Sequence, residues 1–176
     1  MGFRFTCLAI VVLLLSGCAG QFVQPTSGPT AKLRIKPDGQ VAFTWIHTFE
    51  KANCETPLWF GMMGGGGGPT PAHQPKGMLD SAKQADPNVV EMVIPAKATQ
   101  LLFTQHGPHT GGVVRSCSLA LNFMAKEGGE YEIAYGFDSA HCFASVSSLN
   151  LAGDRVVRTR VDDATQQVGR CIPYKF

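Results

Sequence analysis

The sequence lacks the motifs that mark common active sites. It has no Gly-x-Ser-x-Gly segment, no Cys-x-x-Cys pair and no two histidines with the His-x₃-His spacing. These absences disfavour a hydrolase with a nucleophile elbow, a thioredoxin-like redox protein and a structural zinc site. We therefore expect a protein that is not an enzyme and carries no cofactor.

The sequence also lacks a large net charge of either sign. Lysine and arginine number 15 against 13 acidic residues, and no run of like charges stands out. This balance gives no electrostatic reason to expect nucleic acid as a partner.

The N-terminal apolar run is too short to span a membrane. Residues 7–15 are all apolar and follow Arg4, whereas a spanning helix needs about 20 residues. The run ends in Leu15-Ser16-Gly17-Cys18, which resembles the lipobox of bacterial lipoproteins. The resemblance implies a signal peptide over residues 1–17 and lipidation of Cys18, with more than one acyl chain, as stable anchoring requires. The alternatives are an ordinary signal peptide that Cys18 follows by chance and a short buried helix.

The same resemblance implies the location. Ala19 stands where an aspartate would favour retention in the inner membrane. We therefore expect a lipid anchor (palmitate among its chains) in the outer membrane, facing the periplasm.

Four cysteines remain after the signal segment and Cys18 are set aside: Cys54, Cys117, Cys142 and Cys171. An even number in an oxidising compartment predicts two disulfides. Three connectivities are possible. We favour Cys117–Cys142, which closes a short local loop, with Cys54–Cys171, which would attach the C-terminal tail to the long loop.

Alternating apolar and polar residues predict an all-β domain over residues 31–176. One strand carries Leu33 and Ile35 between Lys32, Arg34 and Lys36, and the Pro37-Asp38-Gly39 turn after it predicts a hairpin. In all, about eight strands with turn signals between them predict an antiparallel two-sheet sandwich. Their approximate bounds are 33–35, 41–49, 89–95, 99–105, 116–123, 131–137, 142–149 and 154–161.

Two segments interrupt the pattern. The polar residues 21–30 predict that residues 18–30 form a lipidated, flexible tether. Residues 51–88, rich in glycine and proline, predict one long loop. Its residues 63–77 are expected to be disordered; alternatively, the loop is a mobile contact element with an apolar tip formed by Leu58, Trp59, Phe60, Met62 and Met63.

A second resemblance concerns the domain. Cys117-Ser118, Phe123, Gly128-Gly129, Tyr131 and Cys142, with Ile94-Pro95-Ala96 before them, resemble a pattern of small proteobacterial lipoproteins without an assigned activity. The resemblance implies a β-sandwich-like domain and an envelope location, and it transfers no catalytic residue.

Few side chains suggest chemistry. His106 and His109 on a turn, with Met62 and Met63, form a weak candidate for a copper site, because imidazole and thioether suit copper. Solvated histidines are the simpler interpretation, and for His47, on an apolar strand face, a hydrogen-bonded core or rim position is the usual one.

Asp138, Ser139 and His141 have the residue types of a triad, but one tight turn rarely gives triad geometry. Asp162-Asp163 is expected to be a solvated turn.

Aromatic residues recur at strand spacing, and core packing explains most of them: Phe43, Trp45, Phe49, Phe123, Tyr131, Tyr135 and Phe137. Trp59-Phe60 lies outside the predicted strands. These two rings either form an exposed partner contact or tuck against the sandwich.

The function expected from these features is a non-enzymatic binding or structural role in the cell envelope. The membrane, through the N-terminal lipid, and an envelope protein or polymer are the expected partners. The alternative is a periplasmic lipoprotein that binds a metal such as copper, or a small ligand.

Overall fold

A computed structural model describes residues 20–39, 41, 43–50, 54–64, 75–81, 86, 88–106, 116–137 and 141–169. These residues form two five-stranded sheets, as the alternating pattern predicts. The ten strands are β1 (Thr30–Pro37), β2 (Phe43–Phe49), β3 (Pro57–Met63), β4 (Val90–Pro95), β5 (Ala98–His106), β6 (Ser116–Met124), β7 (Glu130–Phe137), β8 (Cys142–Ala152), β9 (Arg155–Arg160) and β10 (Thr165–Val168).

The first sheet has the order β4-β1-β7-β8-β9, and the second has the order β10-β6-β5-β2-β3. The core lies between them and is built from the inward side chains of both sheets. Phe103 of β5 and Tyr135 of β7 stack across it with ring centroids 4.7 Å apart. Such interdigitation of two inner faces is the usual core of a sandwich.

The connections differ in part from the predicted ones. Gly39 has a φ of 87°, as the predicted turn requires, but this turn carries the chain from the first sheet to the second. The predicted hairpin between β1 and β2 is therefore wrong. Strand β1 pairs instead with β4 and, in parallel, with β7. All other strand pairs are antiparallel.

Two strands were not predicted. Strand β3 lies inside the predicted long loop and forms a hairpin with β2; β10 follows β9 and pairs with β6. Phe60 and Met63 are buried in the core, so the interpretation of residues 58–63 as an apolar contact tip is wrong. The glycines and prolines around this segment obscured a strand whose buried residues face the core between the two sheets.

The faces of β2 are also the reverse of the predicted ones. Thr44, Ile46 and Thr48 are buried, whereas Trp45 is 41% exposed. Phe43 lies against Trp45 on the outer face of the second sheet, with ring centroids 5.5 Å apart. Pairing with β5 places Ile46 beside the core residue Phe103, and alternation along the strand then turns both aromatic rings outward.

Residues 20–24 are paired with the sandwich, which differs from the predicted flexible tether. The amide of Trp59 donates to Gly20 O (2.8 Å), and the amide of Phe22 donates to Trp59 O (2.9 Å). The ring of Phe22 lies 5.0 Å from that of Phe60, and the amide of Val93 donates to the side chain of Gln24 (2.8 Å). The N-terminal segment thus extends the second sheet beyond β3.

A disulfide joins Cys117 of β6 to Cys142 of β8 and so links the two sheets, with a Cα–Cα distance of 6.1 Å. This confirms the predicted pair. Cys54 is also disulfide-bonded, and Cys171, its predicted partner, lies outside the described residues.

Two buried tyrosines of β7 provide a matched test of the core. The Tyr131 hydroxyl accepts a hydrogen bond from the amide of Lys126 (2.9 Å), whereas the Tyr135 hydroxyl has no partner in the described part of the chain. Burial raises the pKa of Tyr135 to about 12. We expect Tyr131→Phe to lower the free energy of unfolding by about 1 kcal/mol, because it removes a satisfied hydrogen bond.

Tyr135→Phe should leave the free energy of unfolding unchanged or raise it, because it removes a polar group that is desolvated without compensation. Urea denaturation of the full chain, followed by fluorescence, measures both variants. Equal losses of stability in the two variants would contradict the assignment.

Candidate functional site

The most unusual feature of the structure is a buried arginine on the outer face of the first sheet. Lys32, Arg34 and Lys36 alternate with the core residues of β1, as the period-two pattern predicts. The side chain of Arg34, however, is 0% exposed. A buried guanidinium stays charged, so its environment must supply compensating charge and acceptors.

Strand register supplies the compensating charge. Arg34 pairs with Glu91 of β4 on one side and with Glu132 of β7 on the other. The Nε of Arg34 donates to Glu91 Oε1 (2.8 Å), and Nη1 donates to Glu132 Oε2 (3.2 Å). One row across three strands therefore carries a carboxylate, a guanidinium and a second carboxylate.

Residues 75–81, which we name the strap, cover this row. Nη2 of Arg34 donates to Leu79 O (2.8 Å) and to the Ser81 hydroxyl (3.1 Å). The amide of Lys76 donates to Glu91 Oε2 (2.7 Å). Further along the face, the amide of Leu79 donates to Glu130 (2.7 Å), and Lys32 donates to Gly77 O (2.9 Å). The strap and the ion pairs therefore hold each other in place.

Glu132 is the most heavily paired carboxylate of the cluster. It accepts from Arg158 Nε (2.8 Å) and forms ion pairs with Lys36 (2.9 Å) and Arg34 (3.2 Å). Burial raises its pKa, but the hydrogen bonds from Arg158, Lys36 and Arg34 outweigh burial and lower the pKa to about 2. Arg158 also lies 3.6 Å from Asp80 of the strap.

The geometry of this cluster gives it a structural role. Both carboxylates of the row, Glu91 and Glu132, are engaged by cations or amide donors. A general acid needs a proton at working pH, which a carboxyl with a pKa of about 2 does not hold. The cluster therefore clamps the strap to the sheet.

A second candidate is an aromatic patch on the outer face of the second sheet, formed by Phe43, Trp45 and His106. The ring of Trp45 lies 5.1 Å from that of His106 in an edge contact. His47, on the same face of β2, has its pKa lowered by burial. Aromatic side chains on an exposed sheet face are suited to partner contact, because they bury large areas with few rotatable bonds.

Two clefts lie at the end of the sandwich where β6 passes into β7. The larger, about 740 Å³, is lined by the charged side chains Lys126, Arg160, Asp162 and Asp163 and by apolar ones that include Leu149 and Leu151. The smaller, about 300 Å³, lies against the N-terminal segment and includes Phe22, Phe49 and Leu58. Asp162 and Asp163 thus occupy an exposed turn, as expected, at the rim of the larger cleft.

The structure separates the two methionines of the copper candidate. Met62 and Met63 are consecutive in β3 and point to opposite faces, and Met63 is buried in the core. His106 is exposed on β5, two strands away from β3. His109 lies outside the described residues. A site that uses both methionines with His106 is incompatible with this arrangement.

The remaining candidates are placed as follows. Cys18, Asp138 and Ser139 lie outside the described residues, and His141 is exposed. Of the two interpretations of Trp59-Phe60, the structure supports tucking against the sandwich, since Phe60 is 1% exposed and Trp59 pairs with the N-terminal segment. Within the described ranges, no group of three or more histidine, cysteine, aspartate or glutamate side chains could hold a metal ion, and no helix is long and apolar enough to cross a membrane.

Comparison with known proteins gives no relative: no family model, no curated protein and no solved structure matches this chain.

Sequence reasoning missed the ion-pair cluster, although one signal of it exists. Glu91 stands inside the apolar run of β4 and Glu132 inside that of β7. A lone carboxylate on a strand is ordinarily solvated, so its meaning depends on the strands beside it. The covering strap could not be read from the glycine- and proline-rich composition around it.

The low pKa of Glu132 predicts how stability depends on pH. The folded-state pKa of about 2 lies below the ordinary value of 4.5, so the stabilisation is complete above about pH 4.5 and is lost as pH falls towards 2. Glu132→Gln should lower the free energy of unfolding at pH 7 by about 3 kcal/mol, because three cations lose their carboxylate. It should also flatten the decline between pH 4.5 and 2.

Urea denaturation across this pH range measures both effects. The matched control is Glu127→Gln on an exposed turn, which we expect to change the stability at pH 7 by less than about 0.5 kcal/mol. An unchanged pH profile in Glu132→Gln would contradict the role assigned to this carboxylate.

Proposed function

We propose that this protein is a lipid-anchored lipoprotein of the bacterial cell envelope with a non-enzymatic binding role. In this proposal residues 1–17 direct export, Cys18 carries the lipid, and the sandwich faces the periplasm from the outer membrane. The lipobox-like segment Leu15-Ser16-Gly17-Cys18 motivates the anchor.

The observation that carries the proposal is the Cys117–Cys142 disulfide between the two sheets. Structural disulfides form and persist in oxidising compartments such as the periplasm. An export signal followed by a domain with a disulfide across its core is the combination expected of a secreted or envelope protein.

The aromatic patch supports a binding role. Trp45 presents 41% of its surface to solvent, flanked by Phe43 and by the exposed His106. We assign the contact with an envelope protein or polymer to this patch. A ring with an exposed face and a polar edge suits either partner, because it can stack on a sugar ring or fill an apolar pocket.

The larger cleft favours a second candidate function, the binding of a small ligand. Its volume of about 740 Å³ lies within the range of ligand sites in proteins. Lys126, Arg160, Asp162 and Asp163 all line it beside apolar side chains, so an amphiphilic ligand with charges of both signs suits the lining. The copper alternative receives less support, because Met62 and Met63 point to opposite faces of β3.

The test of the proposed function is Cys18→Ser in the full chain. We expect the variant to leave the membrane fraction or to remain unprocessed, because the serine hydroxyl cannot form the thioether that holds the lipid. Membrane fractionation and intact-mass measurement report the two outcomes.

The matched control is Cys7→Ser, the same replacement inside the apolar run. It should be processed and retained in membranes like the parent chain. A Cys18→Ser variant that still fractionates with membranes at its mature mass would refute the anchor.

A further inference from the structure

We propose that the end of the sandwich that carries Gly20 lies against the membrane, and that the projecting tip of the β8–β9 hairpin contacts the lipid surface. The inference rests on the proposed lipidation of Cys18 and adds an orientation and a second membrane contact to it. We name the end in question the anchor end; it comprises Gly20, residues 29–30, residues 96–98 and residues 125–129.

The link between Cys18 and the folded domain is short. Gly20 follows Cys18 by two residues, so their Cα atoms are at most about 7 Å apart. Gly20 O accepts from the amide of Trp59 (2.8 Å), and a Cβ at Gly20 would lie 2.7 Å from Leu58 Cδ2. The first residue after the short link is therefore packed on the domain, and a lipid on Cys18 would bring this end to the bilayer surface.

Backbone hydrogen bonds define which elements lie at the anchor end. Ala96 N donates to Pro29 O, Ala125 N to Lys97 O and Gly128 N to Thr30 O, at 2.8 to 3.0 Å. These bonds tie the starts of β1, β5 and β7 together at one edge of the sandwich. The start of β3, where Gly20 packs, adjoins the end of β2 at the same edge.

The hairpin of β8 and β9 reaches the same end of the sandwich. The pairing of β7 with β8 ends at Tyr131 and Ser148, close to where β7 begins at the anchor end. The pairing of β8 with β9 continues to Ala152 and Arg155. β7 begins at Glu130, which stands opposite Leu149 in this register, so three residues of β8 extend beyond β7, about 10 Å of strand. The tip of the hairpin therefore lies at the anchor end, where Asn150 and Leu151 line the larger cleft together with Lys126 and Gly128.

Apolar side chains are exposed near the tip of the hairpin. Leu151 is 62% exposed and Val157 is 42% exposed. Leu151 pairs with Val156, and Asn150 pairs with Val157, so the two exposed side chains lie on opposite faces of the hairpin. Val23 and Met124, at the same end, are 82% and 39% exposed. Apolar side chains on both faces of a projecting tip can be covered together by a medium into which the tip inserts, which favours a lipid surface over a flat protein partner.

The anchor end and the aromatic patch lie at different ends of the molecule. His106 ends β5, whose first residue, Ala98, belongs to the anchor end, and Phe43 pairs with His106. In the proposed orientation the patch points away from the bilayer, where an envelope partner can reach it.

The experiment places a nitroxide label in the lipidated full-length protein, reconstituted in vesicles of phosphatidylethanolamine and phosphatidylglycerol. Leu151→Cys carries the label at the tip. Ser145→Cys is the matched control, because it is an exposed residue on the same strand and the same face, about 20 Å nearer the opposite end. Cys54, Cys117 and Cys142 are disulfide-bonded, and the parent chain taken through the labelling gives the background.

We expect collisions with oxygen, relative to those with a water-soluble nickel chelate, to be several-fold more frequent at position 151 than at 145. A label at Val157→Cys, on the other face of the tip, should behave like the label at 151. Equal collision ratios at 145, 151 and 157 in protein whose mass shows the lipid would overturn the orientation and leave the lipid anchor standing. A mass without lipid would overturn both.

Discussion

The burial of the Arg34 guanidinium is the constraint on which the first sheet and its covering strap depend. A charge removed from water must be compensated by opposite charge and by hydrogen-bond acceptors; otherwise its full desolvation free energy destabilises the folded state. Glu91 and Glu132 meet it from the two neighbouring strands, and Leu79 O and Ser81 complete the donor shell. A slip of either neighbouring strand by one residue would turn its carboxylate to the core face and leave the guanidinium unpaired.

The same row links the sheet to the ends of the molecule. Glu132 receives Arg158 from β9, so the base of the projecting hairpin is held by the charge cluster. The disulfide from Cys142 to Cys117 joins the start of β8 to the second sheet. Strand β8 is therefore fixed at one end by a covalent bond and along its partner strand by ion pairs, which gives the exposed tip a defined position.

Strand positions were predictable wherever one face is apolar and the other polar. The predicted strands around residues 116–123, 131–137 and 142–149 agree closely with β6, β7 and β8, because period-two alternation directly reflects one-sided burial. Strand β3 was not predicted, because Trp59, Phe60, Met62 and Met63 belong to an apolar run next to glycines that shows no alternation with polar residues. The predicted core face of β2 was wrong for a related reason. Its true core face carries two threonines, which are less apolar than the tryptophan and phenylalanine of its outer face. Pairing with β5 determines which of the two faces is buried.

The candidate sites divide in the same way. The Cys117–Cys142 pair could be favoured from spacing, but its role as the bond between the sheets needed the topology. The Arg34 cluster and the aromatic patch could not be located, since each is assembled from strands distant along the chain.

The sequence by itself determined the all-β class and most strand positions, and it favoured the Cys117–Cys142 pair; the export and lipidation signal on which the proposed function rests stays a prediction from a short motif. These are local properties: alternation, turn residues and a short motif act within a few residues. Only the tertiary structure decided which strands share a sheet, that Arg34 is buried between two glutamates, and that residues 20–24 pair with β3 and β4. Those outcomes depend on long-range pairing, in which the burial of a side chain is set by neighbours that the chain reaches only after it has folded.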